Sequence, residues 1–441
     1  MKKYLSTIKN NDKDLFELIK KGGLNFIFYG LNLCIVYFLA ILITKFYGAA
    51  AYGRYSIIKS LILVFIIFNT LGLNTFATKL SSDRNHFDKG LFKTDFFKKS
   101  YYILIFTSII FTAILLVFKR EIAISIFGDQ NLEIYLTYFP FILVFAVFLN
   151  YNSNVLKGQG KILAFSIVSS FLNNLVFITA LIFGYLFFSK SELFLVLSLF
   201  ISFVIAFFAS IFKILPIRYS KPYKESRYSM LLKESFPMML SSSMIFIIFS
   251  VDTLMLGYFD SSENVGIYRI VTQVSGLNAI FLIIFGAVVG PKISNFFSEG
   301  RTSEIKPLIV KSSKIVLCVT FPILILILIF SKDILLFFGE EYLKAVEAVV
   351  ILSICQFLYA TSGFVDLILN MTGKQKVFGI ITFLAATINI ILNLILIPKY
   401  GITGAAISTG FSILLTNGLG IIYVKKNYNF LPFYIPFVKT K

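Results

Sequence analysis

Apolar runs long enough to cross a bilayer recur along the whole chain, and they confine it to a helical membrane fold. A hydrocarbon core about 30 Å thick takes about 20 apolar residues at about 1.5 Å rise each. Such runs lie near 23–45, 56–78, 99–118, 134–156, 162–188, 193–212, 235–258, 267–291, 308–330, 346–371, 377–397 and 403–424. They lack the period-two alternation of barrel strands, which span in roughly 10 residues. Hydrophobic residues make up 58% of the 441 and charged residues 14%, more apolar surface than soluble cores bury. The expected fold class is therefore an all-α membrane protein with twelve transmembrane helices.

An even number of spans puts both termini on one side, and the basic residues say which. Most of the 41 Lys and Arg fall in the amino tail, the even-numbered connections and the carboxyl tail, so the positive-inside rule places both termini in the cytoplasm. The net charge of +19 is then a topology signal and an attraction to anionic membrane lipids, and nucleic acid is not an expected partner. The first run follows a charged leader and is long enough to remain as an anchor. Within that leader Leu15, Phe16, Leu18 and Ile19 suit a short interfacial helix. Cys34, Cys318 and Cys355 stand singly in apolar spans, as small packed residues do.

The chain also repeats itself. Gly53 and Tyr55 recur as Gly266 and Tyr268, and Gly160-Lys161 recurs as Gly373-Lys374, each at an offset of 213 residues. Two matched hydrophobic halves suit a transporter, because two similar bundles rocking against each other expose one central site to either side in turn. The expected organisation is a cytoplasmic segment 1–22, a six-helix bundle 23–213, a basic linker 214–233 carrying Pro216 and Pro222, a pseudo-symmetric six-helix bundle 234–424 and a cytoplasmic tail 425–441, with a cavity between the bundles. Pro140, Pro237, Pro291 and Pro322 predict kinks, and Gly286 with Gly290 predicts close helix packing.

Polar residues inside spans need water, a partner or a purpose, since a charge at the bilayer centre costs about 2.5 to 3.5 kcal/mol on insertion scales. Ser56, Lys59 and Ser60 share a helical face at i, i+3 and i+4, and the offset maps them onto Arg269, Thr272 and Gln273. The span boundaries put Lys59 and Arg269 about one turn inside the outer surface, where either headgroup snorkelling or a shared water-filled cavity accounts for them. Asp252 is a candidate for an ion pair with Arg269 or for ion or proton coupling; Asp366 suits a solvated helix end. Stripes at Ser166, Ser169, Ser170, Asn173 and Asn174, and at Thr382, Ala386, Asn389 and Asn393, offer a cavity lining or interhelical hydrogen bonds.

Several chemistries lack their residues. Gly158-Gln159-Gly160-Lys161 has neither the spacing nor the Ser or Thr of a nucleotide-binding loop. The single histidine, His86, lies in a charged cytoplasmic loop rather than a membrane active site, and metal-ligand spacings are missing. No catalytic residue, metal or cofactor is expected.

Phe236-Pro237, the stretch Val251-Asp252-Thr253-Leu254-Met255-Leu256-Gly257-Tyr258 and Val265-Gly266-Ile267-Tyr268-Arg269 resemble the start of the second half in polysaccharide-export flippases of the MOP (multidrug/oligosaccharidyl-lipid/polysaccharide) superfamily. Tyr47-Gly48 and Tyr52-Gly53-Arg54-Tyr55 are similar to its first-half counterpart. The resemblance implies two six-helix lobes about a central cleft, and transfer of a polyprenyl-pyrophosphate-linked oligosaccharide repeat unit from the inner to the outer leaflet of a bacterial cytoplasmic membrane. Lipid-linked oligosaccharide is then the expected substrate, with the polysaccharide polymerase machinery as a further partner, and a cationic lumen of the kind Lys59 and Arg269 would supply. Drug-extruding relatives carry an acidic residue in the first span. This first span has none, and Leu39 stands where Asp252 has its counterpart. A cation-coupled drug exporter and a teichoic-acid or capsule exporter remain the alternatives.

Overall fold

The computed structural model describes residues 2–82, 95–188, 190–214 and 228–434. His86, Pro216, Pro222, most of the basic linker and the end of the tail lie outside the described residues, as do the side chains of the amino-terminal leader. All regular secondary structure among the described residues is helical, in the order α1 (Lys2–Thr70), α2 (Leu73–Ser82), α3 (Asp95–Glu121), α4 (Leu132–Gly158), α5 (Ile162–Phe187), α6 (Glu192–Ile214), α7 (Tyr228–Phe259), α8 (Ser262–Ser298), α9 (Ile305–Ile329), α10 (Ser331–Phe338), α11 (Val346–Thr361), α12 (Val365–Met371) and α13 (Gln375–Tyr428). Among the described residues nine helical segments are long and apolar enough to cross a membrane. Phe106, Ile109 and Val117 on α3 are 66%, 63% and 69% exposed, an outward apolar face that suits lipid rather than water. This is a multi-pass membrane protein.

Two of those helices contain a break. The backbone leaves helical geometry at Gly48 (φ 86°) in α1 and at Gly401 (φ 52°) in α13, where the sequence placed the connections between spans one and two and spans eleven and twelve. Helix α7 is 32 residues long and contains the expected seventh span.

Glycine places the breaks. Leu71 and Gly72 are left-handed (φ 48° and 78°) and end α1 inside the expected second span; a Cβ on Gly72 would stand 2.1 Å from the Ser235 carbonyl oxygen. Gly363 and Phe364 (φ 82° and 40°) interrupt the expected tenth span. A Cβ on Gly363 would meet the Pro432 carbonyl at 1.5 Å, so the post-helical tail passes directly over this break. Helices continue through Pro140, Pro237, Pro291 and Pro322.

The start of the second span differs from its expected position. Helix resumes directly after Gly48 and runs through Ala49–Tyr55, because Arg54 is paired: its Nε lies 2.6 Å from Asp129 Oδ2, with both side chains largely buried. A satisfied charge lets the helix extend past the point where sequence polarity suggested a loop. Lys59 sits eleven residues beyond the break, roughly 16 Å along the axis.

The chain forms two compact units. One comprises Met1–Phe46, Leu61–Ala123 and Gln130–Ser242; the other comprises Tyr47–Ser60, Ile124–Asp129 and Ser243–Lys441. In the first, α4 packs on α2, α3 and α6 around Tyr135, Phe139 and Tyr151, each fully enclosed. Polar cross-ties join the same helices: Asn74 to Asn150 at 2.8 Å, Thr78 to the Asn154 carbonyl at 3.0 Å and Asn152 to Ser210 at 2.8 Å. In the second, Val289, Ile293, Ile309, Phe364, Ile368 and Val424 form a continuous core, and Leu367 lies over both Gly286 and Gly290, the close packing their spacing suggested.

The Gly-Lys repeat is a helix stop. Lys161 N–H donates to the Leu156 carbonyl at 3.0 Å and Lys374 N–H to the Leu369 carbonyl at 2.8 Å, across left-handed Gly160 (φ 72°) and Gly373 (φ 75°). Both are the six-to-one bond of a Schellman cap. All three pairs of residues, Leu156 and Leu369 included, keep the 213-residue offset.

Candidate functional site

The site in the second unit begins with a helix crossing. A Cβ on Gly53 would stand 1.6 Å from the Ser262 carbonyl oxygen, and one on Gly266 would stand 2.1 Å from the Ala49 carbonyl oxygen. These repeat-related glycines thus let the Tyr47–Ser60 part of α1 touch the start of α8 backbone to backbone. Side chains one to two turns onward are thereby drawn onto a common surface.

Tyr52, 2% exposed, lies across the crossing beside Arg269 and Gln273. Its ring stacks on Tyr55 with centroids 6.0 Å apart, and Lys59 Nζ lies 5.8 Å from the Tyr55 ring centre, within cation–π range. Lys59 and Arg269 are close enough to repel. Arg269 is exposed and Lys59 half-buried, and among the described residues no carboxylate forms an ion pair with Arg269. Two cations gathered on one surface stand ready for an anion.

Two of the neighbouring hydroxyls bond back onto their own helices. Ser56 donates to the Tyr52 carbonyl at 2.8 Å and Thr272 to the Arg269 carbonyl at 2.9 Å, the back-bonding of hydroxyls within a helix. Ser56 and Ser60 are 3% and 7% exposed. Arg269 is exposed and Lys59, Thr272 and Gln273 are half-buried, whereas Ser56 and Ser60 are enclosed between the helices.

Asp252 has hydrogen-bond partners where the sequence suggested an ionic one. Its carboxylate accepts from Asn393 Nδ2 at 2.5 Å, from Tyr268 at 3.2 Å and from Thr409. Asn393 also donates to Asn389 Oδ1 at 3.1 Å, and the Tyr268 and Thr409 oxygens are 2.8 Å apart. Asn389 and Asn393 are wholly buried, so they enclose Asp252 from α13 instead of lining a water-filled space. The Asn393 side-chain oxygen Oδ1 is left without a partner. Three hydrogen-bond donors thus converge on one buried carboxylate, whose charge a proton or a small cation would neutralise.

In the first unit the α5 stripe bends. Residues Ile167–Phe171 form a π-turn, which shifts the phase of the serines relative to the asparagines that follow. Asn174 Nδ2 donates to Asn32 Oδ1 at 2.9 Å, tying α5 to the first span, while the Asn173 amide nitrogen is buried without a partner. Asn173 and Asn174 therefore belong to a different unit from Lys59 and Arg269. Four residues that complete these clusters escaped sequence reasoning: Tyr52, Tyr268, Thr409 and Asn32. Tyr268 had a signal as the repeat partner of Tyr55, and Tyr52 as part of the motif Tyr52-Gly53-Arg54-Tyr55.

Solved structures share this architecture. A multidrug-resistance MATE-family transporter of the MOP superfamily, in an inward-facing conformation, matches with a TM-score of 0.74 at 14% identity over 91% of this chain and 94% of that one. The lipid II flippase MurJ, in an inward closed conformation, matches with a TM-score of 0.71 at 18% identity over 91% and 87%. The fold is that of MOP-superfamily transporters. The probable low-salt glycan biosynthesis flippase Agl15 of Haloferax volcanii is 26% identical over 175 residues, 40% of this chain and 37% of that relative. The chain spans 32% to 39% of the length of the curated relatives it matches. The family described as MatE matches residues 237–395. That described as "Polysaccharide biosynthesis protein" matches residues 18–297, more than half of the chain, which therefore belongs to the polysaccharide biosynthesis protein family.

Proposed function

We propose that this protein is a flippase, a transporter rather than an enzyme, that moves polyprenyl-pyrophosphate-linked oligosaccharide units from the inner to the outer leaflet for surface polysaccharide assembly. The observation that carries the reading is the meeting of Lys59 and Arg269, with Tyr52 and Gln273, on one surface of the second unit. A diphosphate offers acceptor oxygens matched to a guanidinium fork and an ammonium, and it relieves the repulsion between the two cations. Asp252, enclosed by Tyr268, Asn393 and Thr409, is the group on which a proton or cation gradient would act. The polysaccharide polymerase machinery would consume the product.

The test is complementation of a host lacking the gene and any second flippase. The wild-type protein should restore surface polysaccharide, and Lys59→Ala with Arg269→Ala combined should not at matched abundance. Full restoration by that double variant would overturn the reading. The MatE match over 237–395 favours a second reading, a cation-coupled drug exporter, for which deletion would raise drug susceptibility and leave surface glycan unchanged.

A further inference from the structure

Tyr268 and Arg269 are consecutive on α8, so their side chains leave the helix about 100° apart and meet different surroundings. Tyr268 is 1% exposed and turns its hydroxyl to Asp252 Oδ2 at 3.2 Å and Thr409 Oγ1 at 2.8 Å. Arg269 is exposed and lies beside Tyr52. Two residues back, Gly266 is pinned against the Ala49 and Gly53 backbones. A displacement of the Tyr268 side chain therefore has one short, stiff path outward, which is the turn of helix that carries Arg269.

The cluster that Tyr268 joins has more than one arrangement. Tyr268 and Thr409 each own a single hydroxyl hydrogen, yet three close oxygen contacts connect Tyr268, Thr409 and Asp252. Both hydroxyls point to the carboxylate, or one points to the other. A charged Asp252 attracts both hydrogens, whereas an Asp252 whose charge is removed does not. A bistable network of this kind is the physical element that coupling between two sites requires.

We propose that Tyr268 is a positioning residue which couples the charge of Asp252 to the orientation of Arg269, and so to the anion affinity of the cationic face. The proposal rests on the reading that Lys59 and Arg269 bind an anionic headgroup. A transporter with this link would change its hold on the substrate whenever the charge within the second unit changed.

The experiment uses full-length purified protein in lipid nanodiscs, with inorganic pyrophosphate as the probe and calorimetric Kd as the readout. Arg269→Ala should weaken binding about tenfold. Asp252→Asn should shift Kd about fivefold or more in the wild-type background, and by less than about twofold when Tyr268→Phe is also present. An equal shift in both backgrounds, with Arg269→Ala still weakening binding, overturns the proposal and leaves the cationic face standing. Unchanged binding in Arg269→Ala overturns the cationic face itself, and the coupling falls with it. Should Tyr268→Phe fail to fold, Thr409→Val removes the second hydroxyl of the same network. The Asp252→Asn shift should shrink there too, and persistence at full size counts against the link.

Discussion

Arg269 and Lys59 are both cations, but they have different surroundings. Arg269 is exposed beside Tyr52; Lys59 is half-buried against Tyr55. Arg269→Lys keeps the charge but loses the fork, so polysaccharide export should fall partly, while Arg269→Ala should lower it strongly. Cysteines placed at 59 and 269, with Cys34, Cys318 and Cys355 replaced, should react with a membrane-impermeant thiol reagent. Two unreactive cysteines would instead favour packing or snorkelling. Glycine supplies a separate test of stability. Gly53→Ala would thrust a methyl group into the Ser262 carbonyl, 1.6 Å away, and should destabilise the protein by about 1 to 3 kcal/mol or abolish its expression. Gly379 lies within α13 with nothing near its Cβ position, so Gly379→Ala should instead stabilise by about 0.5 to 1 kcal/mol. Thermal unfolding in detergent measures both.

At the scale of elements, breaks and caps carry the architecture. The caps at Gly160 and Gly373 share left-handed geometry and the same six-to-one bond, and both glycines have open space where a Cβ would go. Gly160→Ala and Gly373→Ala should therefore each cost about 1 to 2 kcal/mol through backbone strain alone, and the two losses should be similar. Unequal losses would show that one stop carries tertiary contacts that the other lacks. The repeat is imperfect where packing requires it. Gly48 aligns with Ser261, yet the first turns the chain without leaving helix for long, whereas the second is an N-cap accepting from Asn264 N–H at 3.2 Å. Leu71-Gly72 breaks α1, but the corresponding stretch of α8 is continuous.

At the scale of the whole molecule, the compact units do not follow the halves of the sequence. Tyr47–Ser60 and Ile124–Asp129, from the first half, belong to the second unit, joined by the Arg54–Asp129 pair. Arg54→Ala would leave Asp129 with one charge partner fewer in a largely buried setting, a loss of about 3 to 5 kcal/mol where such a pair is fully enclosed and less here. Asp129→Asn should be milder, since the amide still accepts. The positive-inside rule is tested at this scale by fusing a fluorescent reporter that folds only in the cytoplasm to the carboxyl terminus. Fluorescence supports a cytoplasmic carboxyl terminus, and a dark, full-length fusion would reverse that assignment.

By itself the sequence determined the class of fold and its punctuation. Runs of apolar residues, basic connections and glycines at one offset are local properties, and bilayer thickness and backbone sterics act on them locally. The two cations could also be found that way, because a charge in an apolar run is conspicuous without any partner in view. Tertiary structure alone decided what each polar residue does. Ser56 and Thr272 turned back onto their own helices, Asn389 and Asn393 closed around Asp252, and Tyr52 reached across to Arg269. Those outcomes depend on α1 and α8 meeting at backbone distance through Gly53 and Gly266. Helical periodicity states which residues share a face, but only packing between distant segments states what that face meets.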